Sequence, residues 1–240
     1  MTSNDTVLVL DFDGTVSIGD APVWAYADAV LAMIDGDSGE QIRGGLKAFL
    51  DGDPASPSYI DGYAAVAALS ADAVSGEHRD AAYAASRRAL AQGMLDVTAP
   101  EDLASFLHEL GTTTRRVLVT NAPGEGVVET LEALGLAGEL DQVITRAGKP
   151  DGWAGILPSL LGGRPAENLM AVGDIWSNDL AAPAAAGCAT ALIDRFGRES
   201  APADLVGDKF ESLYDGIRTW AADPAAFRRE HAPAPIAAAD

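Results

Sequence analysis

Short apolar runs alternate with amphipathic stretches along most of the chain. Thr6–Leu10 is nearly all apolar and ends at Asp11, the pattern of a strand buried on both faces. Similar runs recur at residues 116–119, 142–145, 169–172 and 190–193. Helical patterns lie between them. Leu103, Phe106, Leu107 and Leu110 follow the i, i+3, i+4, i+7 spacing behind a Thr98/Glu101 capping box. Val127, Val128, Leu131 and Leu134 form a second stripe, closed by Gly135 as a C-terminal cap. Strands alternating with helices predict an α/β fold with a doubly wound, mostly parallel, Rossmann-like sheet.

Residues 17–95 break this alternation. They are Ala-rich, with helical stretches near 23–34, 40–50, 59–69 and 78–91 and no clear strand. So long a segment is not a plain connection in a compact domain. It predicts an inserted, all-helical cap, leaving residues 1–16 and 96–220 for the α/β core. Residues 221–240 are rich in Ala and Pro and lack an apolar stripe, the composition of a loosely attached tail.

Composition narrows the chemistry. Among 240 residues the formal net charge is −20, which repels nucleic acid and anionic membrane. No apolar stretch is long enough to span a bilayer, and no basic segment precedes an apolar export-signal core, so the expected location is cytoplasmic. Cys188, the only cysteine, rules out an internal disulfide and a cysteine-based zinc site. Its small apolar neighbours mark it as a buried residue entering a strand. His78, His108 and His231 show no metal-ligand spacing.

In an open parallel sheet, ligands bind beyond the carboxyl ends of the strands. The polar residues there are Asp11 and Asp13 after the first run, Thr120 and Asn121 after the second, and Asp174 after 169–172. Lys149 follows the third run, and Asp179 lies five residues beyond Asp174. Several carboxylates converging on one point repel each other unless a cation sits among them. Oxygen ligands with room for water and a phosphate suit Mg²⁺. The metal and Lys149 would supply the positive charge that so acidic a chain withholds from an anionic substrate. Thr120 and the backbone N–H groups of Gly14, Asn121 and Ala122 are candidates to hold phosphate oxygens. A carboxylate is a competent nucleophile toward phosphorus, and a second carboxyl two residues along suits an acid/base.

These residues resemble the four motifs of the haloacid dehalogenase-like (HAD) superfamily, in order. They are Asp11-Phe12-Asp13-Gly14-Thr15, Thr120, Lys149, and Gly173-Asp174-Ile175-Trp176-Ser177-Asn178-Asp179. The resemblance implies that Asp11 is the nucleophile and Asp13 the general acid/base. It implies that Thr120 binds phosphate and that Lys149 holds nucleophile and phosphate. Asp174 would ligate Mg²⁺ with Asp11 and the backbone carbonyl of Asp13, with Asp179 a direct or outer ligand. The insertion would be a helical cap of the kind that closes over the substrate in this family. The partner implied is a small phosphorylated metabolite, acted on by a monomer or homodimer.

Each piece has an ordinary structural reading. Asp13-Gly14 suits a turn, Asp179 a helix N-terminus, Thr120-Asn121 an N-cap, and Lys149 a surface loop. Order and placement at strand ends favour the joint reading. In the cap, Arg43 and Lys47 are candidate cationic contacts to a substrate, but Glu40 and Asp51 flank them at helical spacing, which favours a solvated charged face; Arg79, Arg87 and Arg88 read as surface charges. Trp176 suits substrate contact and packing equally. By the resemblance, an acid at the position of Asp13 favours an oxygen leaving group over a halide. A sugar-phosphate mutase or phosphotransferase shares these motifs, and a catalytically silent binding protein on the same fold is the non-enzymatic alternative. Phosphate-monoester hydrolysis is the leading expectation.

Overall fold

A computed structural model of the protein describes residues 5–34, 36–197 and 201–231. Among them the strands are β1 (Thr6–Leu10), β2 (Thr114–Val119), β3 (Gln142–Ile144), β4 (Leu169–Gly173), β5 (Ala189–Ile193) and β6 (Leu205–Gly207). The first helices are α1 (Ala21–Leu31), α2 (Asp37–Leu50), α3 (Gly62–Leu69), α4 (Gly76–Ala91) and α5 (Leu103–Leu110). The others are α6 (Val127–Ala133), α7 (Trp153–Leu161), α8 (Ala181–Ala185), α9 (Tyr214–Ala222) and α10 (Pro224–Glu230). A π-helical turn, Trp176–Leu180, precedes α8.

The chain divides into two units. One comprises Met1–Val16, Pro100–Ala122 and Gly138–Asp240; the other comprises Ser17–Ala99 and Pro123–Ala137. The first is built on a parallel sheet of order β3-β2-β1-β4-β5-β6, the doubly wound arrangement expected. Every residue of β1, β4 and β5 is buried, as their continuous apolar runs require. Val7, Val9, Val117, Val119 and Leu169 share one core cluster with Trp153, Leu157 and Leu160 of α7. Cys188 belongs to this cluster, and burial pushes its thiol up to about 11, so it is an inert core residue.

Register brings the strand ends level. Leu10 pairs with Leu118 on one side and with Val172 on the other. Asp11, Thr120 and Asp174 therefore leave the sheet within about a residue of the same line, at its carboxyl edge.

The second unit is helical. Its core includes Val23, Tyr26 and Val30 of α1, Leu46 of α2, and Ala65 and Val66 of α3. Asp61 caps α3 by accepting from the Ala64 N–H at 2.6 Å. Residues 123–137, which the alternation pattern assigns to the α/β core, group instead with these helices because α6 packs on α4.

Other expectations change as well. Thr98 does not cap α5: it forms an antiparallel bridge with Ile18, and Asp102, at φ 59°, stands at the helix start. Residues 221–230, expected in the tail, end α9 and form α10, which Asp223 caps and which buries Phe227. One buried aromatic held by a capped turn needs no repeating stripe, so the pattern conceals it. Residues 232–240 of that tail lie outside the described residues. Arg87, expected at the surface, is fully buried within the helical unit. Room for its guanidinium comes from Gly126, where a Cβ would lie 2.8 Å from the Arg87 carbonyl oxygen and 3.3 Å from Nε. Strand β6 was not anticipated, since three residues carry too little periodicity.

Candidate active site

The run after β1 folds as a turn: the N–H groups of Thr15 and Val16 both donate to the Phe12 carbonyl. The Asp11 N–H donates to the Val172 carbonyl at 3.0 Å, which fixes the start of this turn against the end of β4. Gly14 adopts φ +80°, in the left-handed region that favours glycine. A Cβ at Gly14 would lie 2.2 Å from Asp174 Oδ2, so the glycine also makes room for that carboxylate. Asp13 lies half-buried on the same turn. Gly173 plays the same spatial part at the end of β4, where a Cβ would fall 2.6 Å from Asp179 Oδ2.

Asp11, Asp174 and Asp179 form the cluster that these two glycines admit. One carboxylate oxygen from each lies within 4.8 Å of the others. Lys149 is threaded into it. Its Nζ donates to Asp11 Oδ1 at 2.6 Å and to Asp179 Oδ1 at 2.7 Å, with only 1% of the side chain exposed. Burial alone would lower the lysine pKa, but the two carboxylates outweigh it and the net direction is upward. Lys149 is therefore cationic in this site. Burial and the neighbouring Asp11 charge raise Asp179 to about 7, against the opposing pull of Lys149.

Charge decides what else fits here. Three carboxylates gather here, two of them on the one Lys149 ammonium. Burial first, and then the Asp11 charge, disfavours an ionised Asp179, and a cation bound here would relieve the second of these. Hard oxygen donors gathered to this separation, with space kept clear by Gly14, suit a divalent cation that prefers oxygen.

Around the cluster, several groups are hydrogen-bonded within the chain. Asp179 Oδ2 accepts from the Ile175 N–H at 3.1 Å, and Asp179 Oδ1 accepts from Asn178 Nδ2 at 2.8 Å as well as from Lys149. Thr120 is buried, and its Oγ1 accepts from the Ala122 N–H at 3.1 Å. That bond engages one of the backbone N–H groups expected to face phosphate. The Asn121 side chain turns to Lys149, accepting from the Lys149 N–H at 2.7 Å and donating to its carbonyl at 2.9 Å. Asn178 is the residue that sequence reasoning passed over, although its place beside Asp179 was a signal. Its carbonyl oxygen accepts from Trp153 Nε1 at 2.9 Å, so α7 anchors the π-helical turn.

The remaining candidates lie elsewhere. Trp176 packs against the apolar cluster of the sheet unit. Arg43 pairs with Asp28 and lies over the Trp24 ring, and Lys47 pairs with Asp51, all on exposed surface as the charged-face reading has it. His78 contacts Ser75, His108 lies near Glu139, and His231 is bonded to the Phe227 carbonyl. Among the described residues no helix is long and apolar enough to cross a membrane.

No family model matches the chain, and no curated protein sequence matches it. Solved structures do. YfnB of Bacillus subtilis, described as a HAD-hydrolase bound to magnesium, superimposes with a TM-score of 0.62 at 17% identity, over 90% of this chain and 99% of that one. A predicted phosphoglycolate phosphatase of Haemophilus somnus gives 0.61 at 16% identity, again over 90% and 99%. A 2-haloacid dehalogenase of Pseudomonas syringae gives 0.54 at 17% identity over the same shares. The chain thus has the fold of the HAD-like hydrolases, a fold that both phosphatases and dehalogenases use.

Proposed function

We propose that the protein is a Mg²⁺-dependent hydrolase of small phosphate monoesters with Asp11 as nucleophile. The observation that carries this reading is the Lys149 ammonium, bonded at once to Asp11 and Asp179 inside a cluster of three carboxylates. A lysine so placed holds the Asp11 carboxylate in one orientation, which is what attack on phosphorus needs.

Asp11 would attack phosphorus with one carboxylate oxygen while the ester P–O bond breaks, giving an aspartyl-phosphate and an alkoxide. Asp13, protonated, would give its proton to that leaving oxygen. As carboxylate it would then take a proton from the water that attacks the aspartyl-phosphate, releasing phosphate and restoring Asp11. Asp11, Asp174 and the backbone carbonyl of Asp13 are the residues we assign to hold Mg²⁺. When bound, the ion would neutralise charge on the transferring phosphoryl group. Thr120, its hydroxyl oriented by the Ala122 N–H, and the backbone N–H groups of Gly14 and Asn121 would bind phosphate oxygens.

Asp13 favours an ester over a halide, since an alkoxide leaving group needs a proton and a halide does not. The test is a paired assay in Mg²⁺: phosphate release from aryl and sugar phosphates, and halide release from 2-haloacids. Phosphate release that chelation abolishes and Asp11→Asn eliminates is expected. Halide release without phosphate release would overturn the proposal.

A further inference from the structure

Lys149 sits in a loop between β3 and α7, where neither helix nor sheet supplies partners for its backbone. Both of its peptide groups are nevertheless bonded, and to one side chain. The carboxamide of Asn121 accepts from the Lys149 N–H at 2.7 Å and donates to the Lys149 carbonyl at 2.9 Å, much as a neighbouring strand would. Asn121 Nδ2 also reaches Asn178 Oδ1 at 3.2 Å. Asn178 Nδ2 then donates to Asp179 Oδ1 at 2.8 Å, the same oxygen that accepts from Lys149 Nζ at 2.7 Å.

These bonds close a ring. It runs from the Lys149 backbone through Asn121, Asn178 and Asp179 and returns along the Lys149 side chain. The amide orientations follow from the ring itself: each carboxamide oxygen faces an N–H and each NH₂ an oxygen, and flipping either amide would set like against like. A lysine side chain normally retains several rotatable bonds of freedom. Here the backbone end and the ammonium end are held by one network, so the path between them is restricted.

We propose that Asn121 and Asn178 are positioning residues whose side chains set the placement of Lys149 against Asp11, those two carboxamides acting as one strut rather than as phosphate or metal ligands. The role rests on the phosphatase reading only for its catalytic consequence. The placement of Lys149 is a property of the folded chain whatever the reaction.

The test separates the two. In wild-type protein the Lys149 ammonium should resist an amine-directed acylating reagent, with modification followed at that residue by peptide mass spectrometry. Asn121→Ala and Asn178→Ala should each raise its labelling rate several-fold, while lysines 47 and 209 label as before. For aryl phosphate hydrolysis, each variant should lose on the order of tenfold in kcat, with KM and the Mg²⁺ dissociation constant, measured calorimetrically, within about twofold of wild type. The double variant should lose little more than either single one, because residues acting as a unit are not additive. Asn121→Asp keeps the acceptor for the Lys149 N–H but loses both donors, so it should resemble Asn121→Ala. Unchanged labelling in both single variants would overturn the strut. So would additive kcat losses, or a weakening of Mg²⁺ binding that accounts for the kcat loss. If the wild-type protein hydrolyses no phosphate ester, the labelling arm still decides the strut, and it is the proposed reaction that fails.

Discussion

Replacing Lys149 by methionine tests the electrostatics of the site without reference to any substrate. Methionine fills a similar length but carries no charge, so Asp11 and Asp179 would face each other with no ammonium between them. Their oxygens lie within 4.8 Å. Two unit charges at that separation repel by roughly 3–4 kcal/mol at an effective dielectric constant of about 20. Removing one partner of a buried pair costs a similar amount, about 3–5 kcal/mol. The loss should depend on pH in a definite sense. The Asp179 pKa is already raised to about 7 with Lys149 present. Without the lysine it moves higher still. A carboxyl whose folded pKa lies above its unfolded value stabilises the fold fully below the unfolded pKa, and that contribution is lost as pH rises through the folded pKa. In chelator, Lys149→Met should therefore cost several kcal/mol at pH 8 and much less near pH 5, where Asp179 takes up a proton. Urea unfolding followed by tryptophan fluorescence is the assay. Trp153, Trp176 and Trp220 all belong to the sheet unit, so the signal reports chiefly on it. An equal loss at both pH values, or a loss under about 1 kcal/mol at pH 8, would refute the reasoning.

Three further predictions concern separate parts of the molecule. Asp13→Asn should lower kcat by about 10²–10⁴-fold, the usual share of general acid–base catalysis. The loss should be greater for alkyl than for activated aryl phosphates, and the reverse order would contradict its role. Gly14→Ala places a methyl 2.2 Å from Asp174 Oδ2 at φ +80°, so the carboxylate must move. Calorimetry should find weakened Mg²⁺ binding together with a strain of about 1–2 kcal/mol. Phe227→Ala should destabilise the sheet unit by about 3–5 kcal/mol in urea titrations, since the ring is 1% exposed in α10. A loose tail would leave stability unchanged.

Much of this protein was legible in the chain itself. Continuous apolar runs such as Thr6–Leu10 specify strands buried on both faces, and such strands pair in parallel with helices between them. A polar residue ending each run then falls at the carboxyl edge of the sheet, which is where the runs place Asp11, Thr120 and Asp174. Residues 17–95 keep a helical period and lack strand runs, and α1 to α4 lie among them.

Other features depend on contacts that periodicity does not encode. Arg87 reads as a surface charge by residue type, yet Gly126, 39 positions on, opens the space that buries it. Strand β6 is three residues long and is recognisable only from its pairing with β5. α10 is held by a buried ring, a cap and the ion pair of Arg228 with Asp204, none of which repeats along the chain. The site divides along the same line. Residue type and order nominated Asp11, Lys149 and Asp179, because several carboxylates and a lysine falling in order at or just past strand ends are explained together better than one by one. That Lys149 spans both carboxylates, and that Asn121 and Asn178 close a ring around it, is decided by the tertiary structure alone. Hydrogen bonds between residues 28 and 57 positions apart leave no trace in local pattern.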